Sequence, residues 1–259
     1  MLSEHSLTVI RSKPGRMIKP VRLVLFTSET GCEACPDMLE LARAVKSQFN
    51  KIALETYDIV MDRDKSAQFG VRHAPALVVQ GGDAEAVAFY GMIDHLFLEV
   101  LLSSITAVSE TKAWFPENVR GALKHLVNDV SIRVFVESDC PECRPVAETA
   151  IGLALENRLI SSSIIVASDF PDLMKQYRIT TLPKTVFGEN LHMDGHVTES
   201  EFLEMVFQAE GLKAGPEKKC LVCGNSSADN ICPGCKAKIQ AEAVEHKLKG
   251  ERLKHPETL

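Results

Sequence analysis

The residues of this 259-residue chain that could carry chemistry are its eight cysteines, which fall into four Cys-x-x-Cys pairs. The pairs are Cys32 with Cys35, Cys140 with Cys143, Cys220 with Cys223, and Cys232 with Cys235. Thiols at this spacing act either as redox dithiols, which exchange disulfides, or as thiolate ligands of a metal ion. The spacing therefore predicts redox sites, metal sites or both, and the surroundings of each pair must distinguish them.

Composition places the chain among ordinary globular proteins, with 45% hydrophobic and 25% charged residues. The length favours two or more domains, and the formal net charge of -6 argues against nucleic acid as a partner. No apolar run approaches the roughly 20 residues that a membrane helix needs, so we expect no membrane contact. The first twenty residues contain no apolar signal segment. We therefore expect a cytoplasmic protein, in which thiols are kept reduced.

The first two cysteine pairs lie within a sequence repeat. Cys140 follows Cys32 by 108 residues, and Pro183 follows Pro75 by the same 108 residues. Each of these prolines lies 43 residues after the first cysteine of its pair, and an aromatic residue precedes each proline by six positions. Several matches at one offset predict two homologous units.

The two units, residues 1–112 and 113–213, show the same alternation of predicted strands and helices. An apolar strand, 21–27 or 132–136, leads into each cysteine pair, and a helical pattern of apolar residues follows it. A second strand, a short helix, a strand that begins at each proline, its hairpin partner and a final helix complete each unit. The fold class is therefore α/β, with a mixed central sheet flanked by helices.

The opening helices of the two units are expected to differ. The second unit should open with a helix over 116–128, since Pro116 stands at its first position. The matching stretch of the first unit contains Pro14, Gly15 and Pro20, which predict a helix that is cut short.

A strand, a Cys-x-x-Cys motif at a helix start and a proline that opens a later strand together resemble the thioredoxin fold. Two such units in one chain resemble the tandem, glutaredoxin-like protein disulfide oxidoreductases. This resemblance implies a thiol–disulfide oxidoreductase that acts on protein disulfides. It also implies cis peptide bonds at Ala74–Pro75 and Leu182–Pro183, whose loops would bind substrate beside the sulfurs. A trans proline that opens an edge strand is the alternative.

Within these motifs, Cys32 and Cys140 are the expected attacking thiols. Free amide groups and the helix dipole at a helix start stabilise a thiolate and lower its pKa, although carboxylates beside both motifs oppose this effect. Cys35 and Cys143, one turn further on and more buried, would resolve the mixed disulfide. Because the second motif is closer to the glutaredoxin-like pattern, we expect the second site to carry more of the activity.

Residues 214–259 are predicted to form a separate module, which resembles a small zinc ribbon. Its two cysteine pairs are separated by eight residues and suit a tetrahedral Zn²⁺ site. With four thiolates, no histidine and no open position, the zinc would be structural. Iron, or a redox-active pair of disulfides, remains the alternative. The mixed charges of the last helix, 236–254, favour a solvated or protein-docking surface over nucleic-acid contact.

No glycine-rich nucleotide-binding motif occurs in the sequence, so we expect neither a bound flavin nor a bound nicotinamide. Electrons would then come from a partner, for which the resemblance suggests a flavoprotein of the thioredoxin reductase type. Two other functions remain open. One is a dedicated electron relay to a peroxidase or another single acceptor. The other is a binding scaffold, in which the zinc ribbon holds a partner and the redox sites are vestigial.

Overall fold

Strands and helices alternate along the chain in the computed structural model, which describes residues 2–12, 17–81, 87–110, 113–210, 218–227 and 229–254. The first unit contains α1 (Glu4–Ser12), β1 (Val21–Thr27), α2 (Cys35–Gln48), β2 (Ile52–Asp58), α3 (Arg63–Gln68), β3 (Ala76–Gln80), β4 (Val87–Tyr90) and α4 (His95–Glu110). The second unit contains α5 (Glu117–Leu123), β5 (Val130–Val136), α6 (Cys143–Glu156), β6 (Ile160–Val166), α7 (Pro171–Gln176), β7 (Lys184–Phe187), β8 (Leu191–Asp194) and α8 (Glu199–Ala209). The C-terminal module contains β9 (Lys218–Lys219), β10 (Ser226–Ser227) and α9 (Pro233–Lys254).

The eight strands of the two units form one mixed sheet in the order β2-β1-β3-β4-β6-β5-β7-β8. In each unit the first two strands pair in parallel and the other pairs are antiparallel. The units are joined by a parallel pairing of β4 with β6. Strands β1 and β5 consequently run in the same direction, so the two cysteine motifs that follow them lie at the same edge of the sheet.

Apolar side chains cover both faces of this sheet. Alternate residues of β1 point to opposite faces, so Leu23 and Leu25 join the larger core cluster while Val24 and Phe26 join the smaller one. The larger cluster lies against α2, α4, α6 and α8, whereas the smaller one includes Leu173 of α7. These layers confirm the predicted α/β architecture, with helices on both sides of a mixed sheet.

The helix predicted over 116–128 is shorter than expected, whereas the shortening of the first opening helix stays a prediction. Helix α1 of the first unit has nine residues, while α5 of the second has seven and ends at Leu123 instead of residue 128. After α5 the chain tightens into i→i+3 turns, in which the Leu123 carbonyl accepts a bond of 3.1 Å from the Leu126 N–H and a second bond of 2.7 Å from the side-chain amide of Asn157. Pro14 and Gly15, which were expected to shorten the first helix, lie outside the described residues.

The C-terminal module packs against α8. Ile231 and Ile239 are fully buried and belong to the larger core cluster. The carboxylate of Glu204, on α8, accepts hydrogen bonds of 3.2 Å from the backbone N–H groups of Asn230 and Ile231. Among the described helices, none combines the length and the apolar character that a membrane crossing requires.

Candidate active sites and metal centre

The first candidate site forms where β1 ends and α2 begins. Cys32 lies in the connecting loop, and Cys35 is the first residue of α2. Their sulfurs form a disulfide, with the Cα atoms 5.4 Å apart. Cys35 is buried and accepts a hydrogen bond on its Sγ from the backbone N–H of Ser28 at 3.4 Å, while Cys32 is only half-buried. Cys32 therefore carries the sulfur that an incoming disulfide can reach.

Asp58, the last residue of β2, anchors the loop that leads to Cys32. Its carboxylate accepts hydrogen bonds from the backbone N–H groups of Met61, Val60 and Glu29. These bonds hold the pKa of Asp58 below its usual range, with the bonds from Met61 and Val60 contributing most. No local sequence pattern marks Asp58, because its partner Glu29 lies 29 residues earlier, in the loop after the neighbouring strand.

The second candidate site has the same layout and a different hydrogen bond to sulfur. Cys140 is half-buried in the loop after β5, Cys143 is fully buried at the start of α6, and the two form a disulfide with Cα atoms 5.3 Å apart. Here the backbone N–H of Cys143 is shared between Sγ of the less buried Cys140, at 3.2 Å, and the carbonyl oxygen of Cys140, at 3.1 Å. The helix start thus supplies a hydrogen-bond donor to the sulfur that would carry the thiolate.

Glu137 anchors the loop of the second site. Its carboxylate accepts hydrogen bonds of 2.9 Å from both the backbone N–H and the hydroxyl of Ser168, which follows β6. Glu137 follows Glu29 by the repeat offset of 108 residues. In the first unit the loop donates a backbone N–H to a carboxylate on the neighbouring strand, and in the second the loop supplies the carboxylate. Glu137 was also missed by the sequence analysis.

Both prolines of the repeat lie at the sheet edge that carries the cysteine motifs. The peptide bonds Ala74–Pro75 and Leu182–Pro183 are cis. The prolines are buried and the residues before them are half-buried. Each proline carbonyl accepts a hydrogen bond from a glycine N–H just beyond the hairpin partner strand, at 3.0 Å for Pro75 and 2.8 Å for Pro183. In the sheet, the residue after Pro75 lies opposite Phe26, near the end of β1, and the residue after Pro183 lies opposite Phe135, near the end of β5.

The remaining four cysteines form one cluster. The sulfurs of Cys220, Cys223, Cys232 and Cys235 all lie within 4.8 Å of one another, and those of Cys223 and Cys232 are 3.8 Å apart. Metal–sulfur bonds of about 2.3 Å at a tetrahedral Zn²⁺ ion place the sulfurs about 3.8 Å apart, so the cluster has the dimensions of a metal site.

The environment of the cluster favours ionisation of one thiol in particular. Burial opposes the charge on Cys220, but hydrogen bonds from the backbone N–H groups of Cys232, Cys223 and Val222 outweigh it and lower the pKa of Cys220 to about 6. Burial, together with the neighbouring sulfurs, raises the pKa of Cys235. A cation at the centre of the four sulfurs would favour the thiolate form of all of them.

The chain matches known proteins over both units. Residues 130–208 match the thioredoxin domain family. A probable thioredoxin of Methanothermobacter thermautotrophicus is 37% identical over 62 residues, which cover 24% of this chain and 72% of that protein. A protein disulfide oxidoreductase of Aeropyrum pernix superposes with a TM-score of 0.73 at 28% identity, over 82% of this chain and 95% of that one. An alkylhydroperoxide reductase protein of Enterococcus faecalis, AhpF, shares the fold, with a TM-score of 0.71 at 20% identity over 79% of this chain and 99% of that one.

Two thioredoxin-like units, each with a Cys-x-x-Cys motif at disulfide distance, define a thiol–disulfide oxidoreductase. The chain belongs to the thioredoxin family. Its substrates are disulfides, and its C-terminus carries a zinc-ribbon-like cysteine cluster that could bind a metal ion. The predicted fold class, family and enzyme class are therefore confirmed.

Proposed function

We propose that the protein exchanges disulfides with protein substrates at both motifs, and that Cys32 and Cys140 are the attacking residues. The observation that carries this proposal is the same at each site: one half-buried and one buried cysteine are bonded at the start of a long helix. Cys35 and Cys143 are in this proposal the resolving residues. Their burial keeps them from attacking a substrate directly and leaves them within bonding distance of the first sulfur.

In the reducing direction, the thiolate of Cys140 attacks one sulfur of the substrate disulfide and expels the other as a thiolate, which takes up a proton. The resulting mixed disulfide joins the protein to its substrate. Cys143 then loses its proton, attacks Sγ of Cys140 and releases the second substrate thiol. The substrate gains two electrons and two protons, and the protein is left with the disulfide between Cys140 and Cys143. Cys32 and Cys35 follow the same sequence at the first site.

We assign substrate binding to the two proline loops, with Ala74 and Pro75 at the first site and Leu182 and Pro183 at the second. The residue before each proline is half-buried at the sheet edge where the cysteines lie. Backbone groups at such an edge can pair with an extended segment of a substrate protein, which would place its disulfide against the exposed sulfur. The larger Leu182 gives the second loop more apolar surface than Ala74 gives the first.

We further propose the domain limits 1–112, 113–213 and 214–259, and a structural zinc ion in the last of these. Cys220, Cys223, Cys232 and Cys235 would hold the ion, and an all-thiolate site with four ligands leaves no open position for catalysis. The bound ion would contribute to folding of the module. Metal analysis of freshly purified protein tests the assignment: we expect one zinc per chain, and a preparation without zinc would contradict it.

The electrons for repeated reduction must come from outside the chain, and we propose a flavoprotein of the thioredoxin reductase type in the cytoplasm. Trapping with Cys143→Ser separates a general enzyme from a dedicated relay, because this variant retains the mixed disulfide with its partner. Many captured proteins support the general activity. A single captured acceptor, such as a peroxidase, would establish the relay in its place.

Insulin reduction by the variants Cys32→Ser, Cys140→Ser and the double variant tests the proposed activity. We expect each single variant to retain part of the activity, with the larger loss in Cys140→Ser, and the double variant to be inactive. Ser47→Ala is the control, because it changes an exposed residue of α2 far along the helix from the motif and should leave the reaction unchanged. Full activity in the double variant would favour a scaffold with vestigial redox sites.

A further inference from the structure

Helix α4 of the first unit contacts the second redox motif on both of its sides. His95, the first residue of α4, places Nδ1 3.6 Å from a carboxylate oxygen of Asp139, which directly precedes Cys140. One turn later, a carboxylate oxygen of Glu99 lies 3.1 Å from Nη1 of Arg144, which directly follows Cys143. Residues four apart lie on one face of a helix, so a single face of α4 spans the motif.

Arg144 is the basic residue at the start of the helix that bears the second motif. Its Nε donates a hydrogen bond of 3.0 Å to Glu148, one turn along α6, and its Nη1 donates to Glu99. Burial acts to lower the pKa of Arg144, but the hydrogen bonds with Glu148 and Glu99 outweigh it, so the guanidinium remains a cation. Two carboxylates thus neutralise one guanidinium, and one of the two belongs to the first unit.

The charge of Arg144 matters because of its position. The sulfur of Cys140 accepts a hydrogen bond from the N–H of Cys143, and Arg144 is the next residue, so Arg144 is the first basic residue after the donor in the first turn of α6. Positive charge near that turn favours a thiolate at Cys140. The charged and titratable groups around the motif come from α1, the start of α4, the motif and α6: His5, Asp94, His95, Glu99, Asp139, Glu142, Arg144 and Glu148.

We infer that Glu99 is a positioning residue of the second redox site, which holds Arg144 and so limits the positive charge that acts on the sulfur of Cys140. The inference rests on the proposed role of Cys140 as the attacking residue. The first site has no counterpart, since Gly31 and Pro36 stand at the positions that match Asp139 and Arg144. Through this contact the first unit influences the reactivity of the second site. The same contact gives the second unit no influence on the first site.

The test is the rate of alkylation of Cys140 by iodoacetamide as a function of pH. It is measured in a Cys143→Ser background with and without Glu99→Gln, which keeps the size of the side chain and removes its charge. Loss of one partly exposed carboxylate should speed the alkylation of Cys140 by about 1.2- to 2.5-fold at a pH below its pKa, because lower nucleophilicity offsets part of the gain in thiolate, and should displace the profile to lower pH. The alkylation of Cys32, measured in a Cys35→Ser background, should not change.

Glu110→Gln is the matched control, because it removes the same charge from the same helix roughly 16 Å further along its axis. It should leave the profile of Cys140 unaltered. Arg144→Gln should slow the alkylation of Cys140, and Glu99→Gln should have no further effect in that background. This last comparison separates control through Arg144 from a general loosening of the helix, which would persist without the guanidinium.

Three results would overturn the inference. Glu99→Gln could leave the alkylation profile of Cys140 unchanged, or it could shift the profile of Cys32 by the same amount. It could also change the profile of Cys140 as strongly in the Arg144→Gln background as in the presence of Arg144. If Glu99→Gln does not fold, the Arg144→Gln variant decides alone: slower alkylation supports the inference, and unchanged or faster alkylation refutes it. Alkylation needs no substrate protein. Failure of the proposed activity would instead appear as insulin reduction that does not depend on Cys140, whatever the alkylation rates are.

Discussion

The hydrogen bond to sulfur at the second site predicts that Cys140 is a more acidic thiol than Cys32, the other residue that we propose attacks the substrate. The variants Cys35→Ser and Cys143→Ser leave one reactive thiol at the first and second site, respectively, and retain the backbone around it. In Cys143→Ser, the N–H of residue 143 still points at Sγ of Cys140, from 3.2 Å. At the first site the corresponding bond to sulfur goes to the resolving residue, since Ser28 donates to Cys35.

The size of the difference follows from the contacts. A hydrogen bond to a charged group contributes about 1.5–3 kcal/mol, which corresponds to about 1–2 pKa units at 1.36 kcal/mol per unit. Exposed carboxylates oppose the thiolate at roughly 0.2–1 kcal/mol each, and the second site has one more of them, with Asp139 and Glu142 against Glu33 at the first. The pKa of Cys140 is therefore expected to lie about one unit below that of Cys32. A pKa that is lower by one unit gives about ten times more thiolate, but the intrinsic nucleophilicity falls by about a factor of three, so the net gain in rate is about threefold.

The assay is the rate of alkylation as a function of pH, measured for Cys32 in Cys35→Ser and for Cys140 in Cys143→Ser, with peptide mass spectrometry to separate these thiols from the other cysteines that each variant retains. We expect the midpoint for Cys140 to lie about one unit below that for Cys32. Equal midpoints, or a lower one for Cys32, would refute the reasoning that connects the amide of residue 143 to the acidity of the second site.

Three further predictions concern stability and metal binding. A Cβ atom at Gly152 would lie 2.2 Å from the indole of Trp114, so Gly152→Ala should destabilise the fold by about 1–3 kcal/mol and alter the fluorescence of the chain's one tryptophan. Cys235→Ser should release the metal of the C-terminal cluster and lower the melting temperature of that module while insulin reduction continues, as metal analysis and calorimetry would record. Thr198, which caps α8, donates hydrogen bonds from its backbone N–H and its hydroxyl to the Glu201 carboxylate and lowers the pKa of Glu201. These bonds stabilise the fold above the pKa that Glu201 has in the unfolded chain, and the stabilisation is lost as the pH falls through the lower pKa of the folded state. Thr198→Ala should therefore lower the free energy of unfolding, measured in urea, by about 1 kcal/mol near neutral pH and by less in acid.

The repeat in the sequence was sufficient to predict both units and the place of each cysteine motif. Strand β1 has the predicted limits, and the motifs follow β1 and β5 as expected. These features depend on local patterns, namely apolar runs, helix starts and a fixed distance from cysteine to proline. Patterns of this kind can be recognised in a single sequence because each of them involves residues that are close together along the chain or at a fixed spacing.

Features that depend on contacts between distant segments were not predictable in this way. The turn after α5 receives a hydrogen bond from Asn157, which lies 34 residues beyond Leu123. The loop anchors Asp58 and Glu137 hydrogen-bond to Glu29 and Ser168, which lie 29 and 31 residues away along the chain. The pairing of β4 with β6, which makes one sheet of the two units, likewise depends on packing that neither strand indicates alone.

The redox state of the two N-terminal motifs tests the central claim most directly. Intact protein can be equilibrated with mixtures of reduced and oxidised glutathione, quenched by alkylation and analysed by peptide mass spectrometry. We expect Cys32 with Cys35, and Cys140 with Cys143, to gain and lose the alkyl label in pairs, in two separate two-electron transitions. Four cysteines that stay in one state across the whole series would contradict a disulfide oxidoreductase.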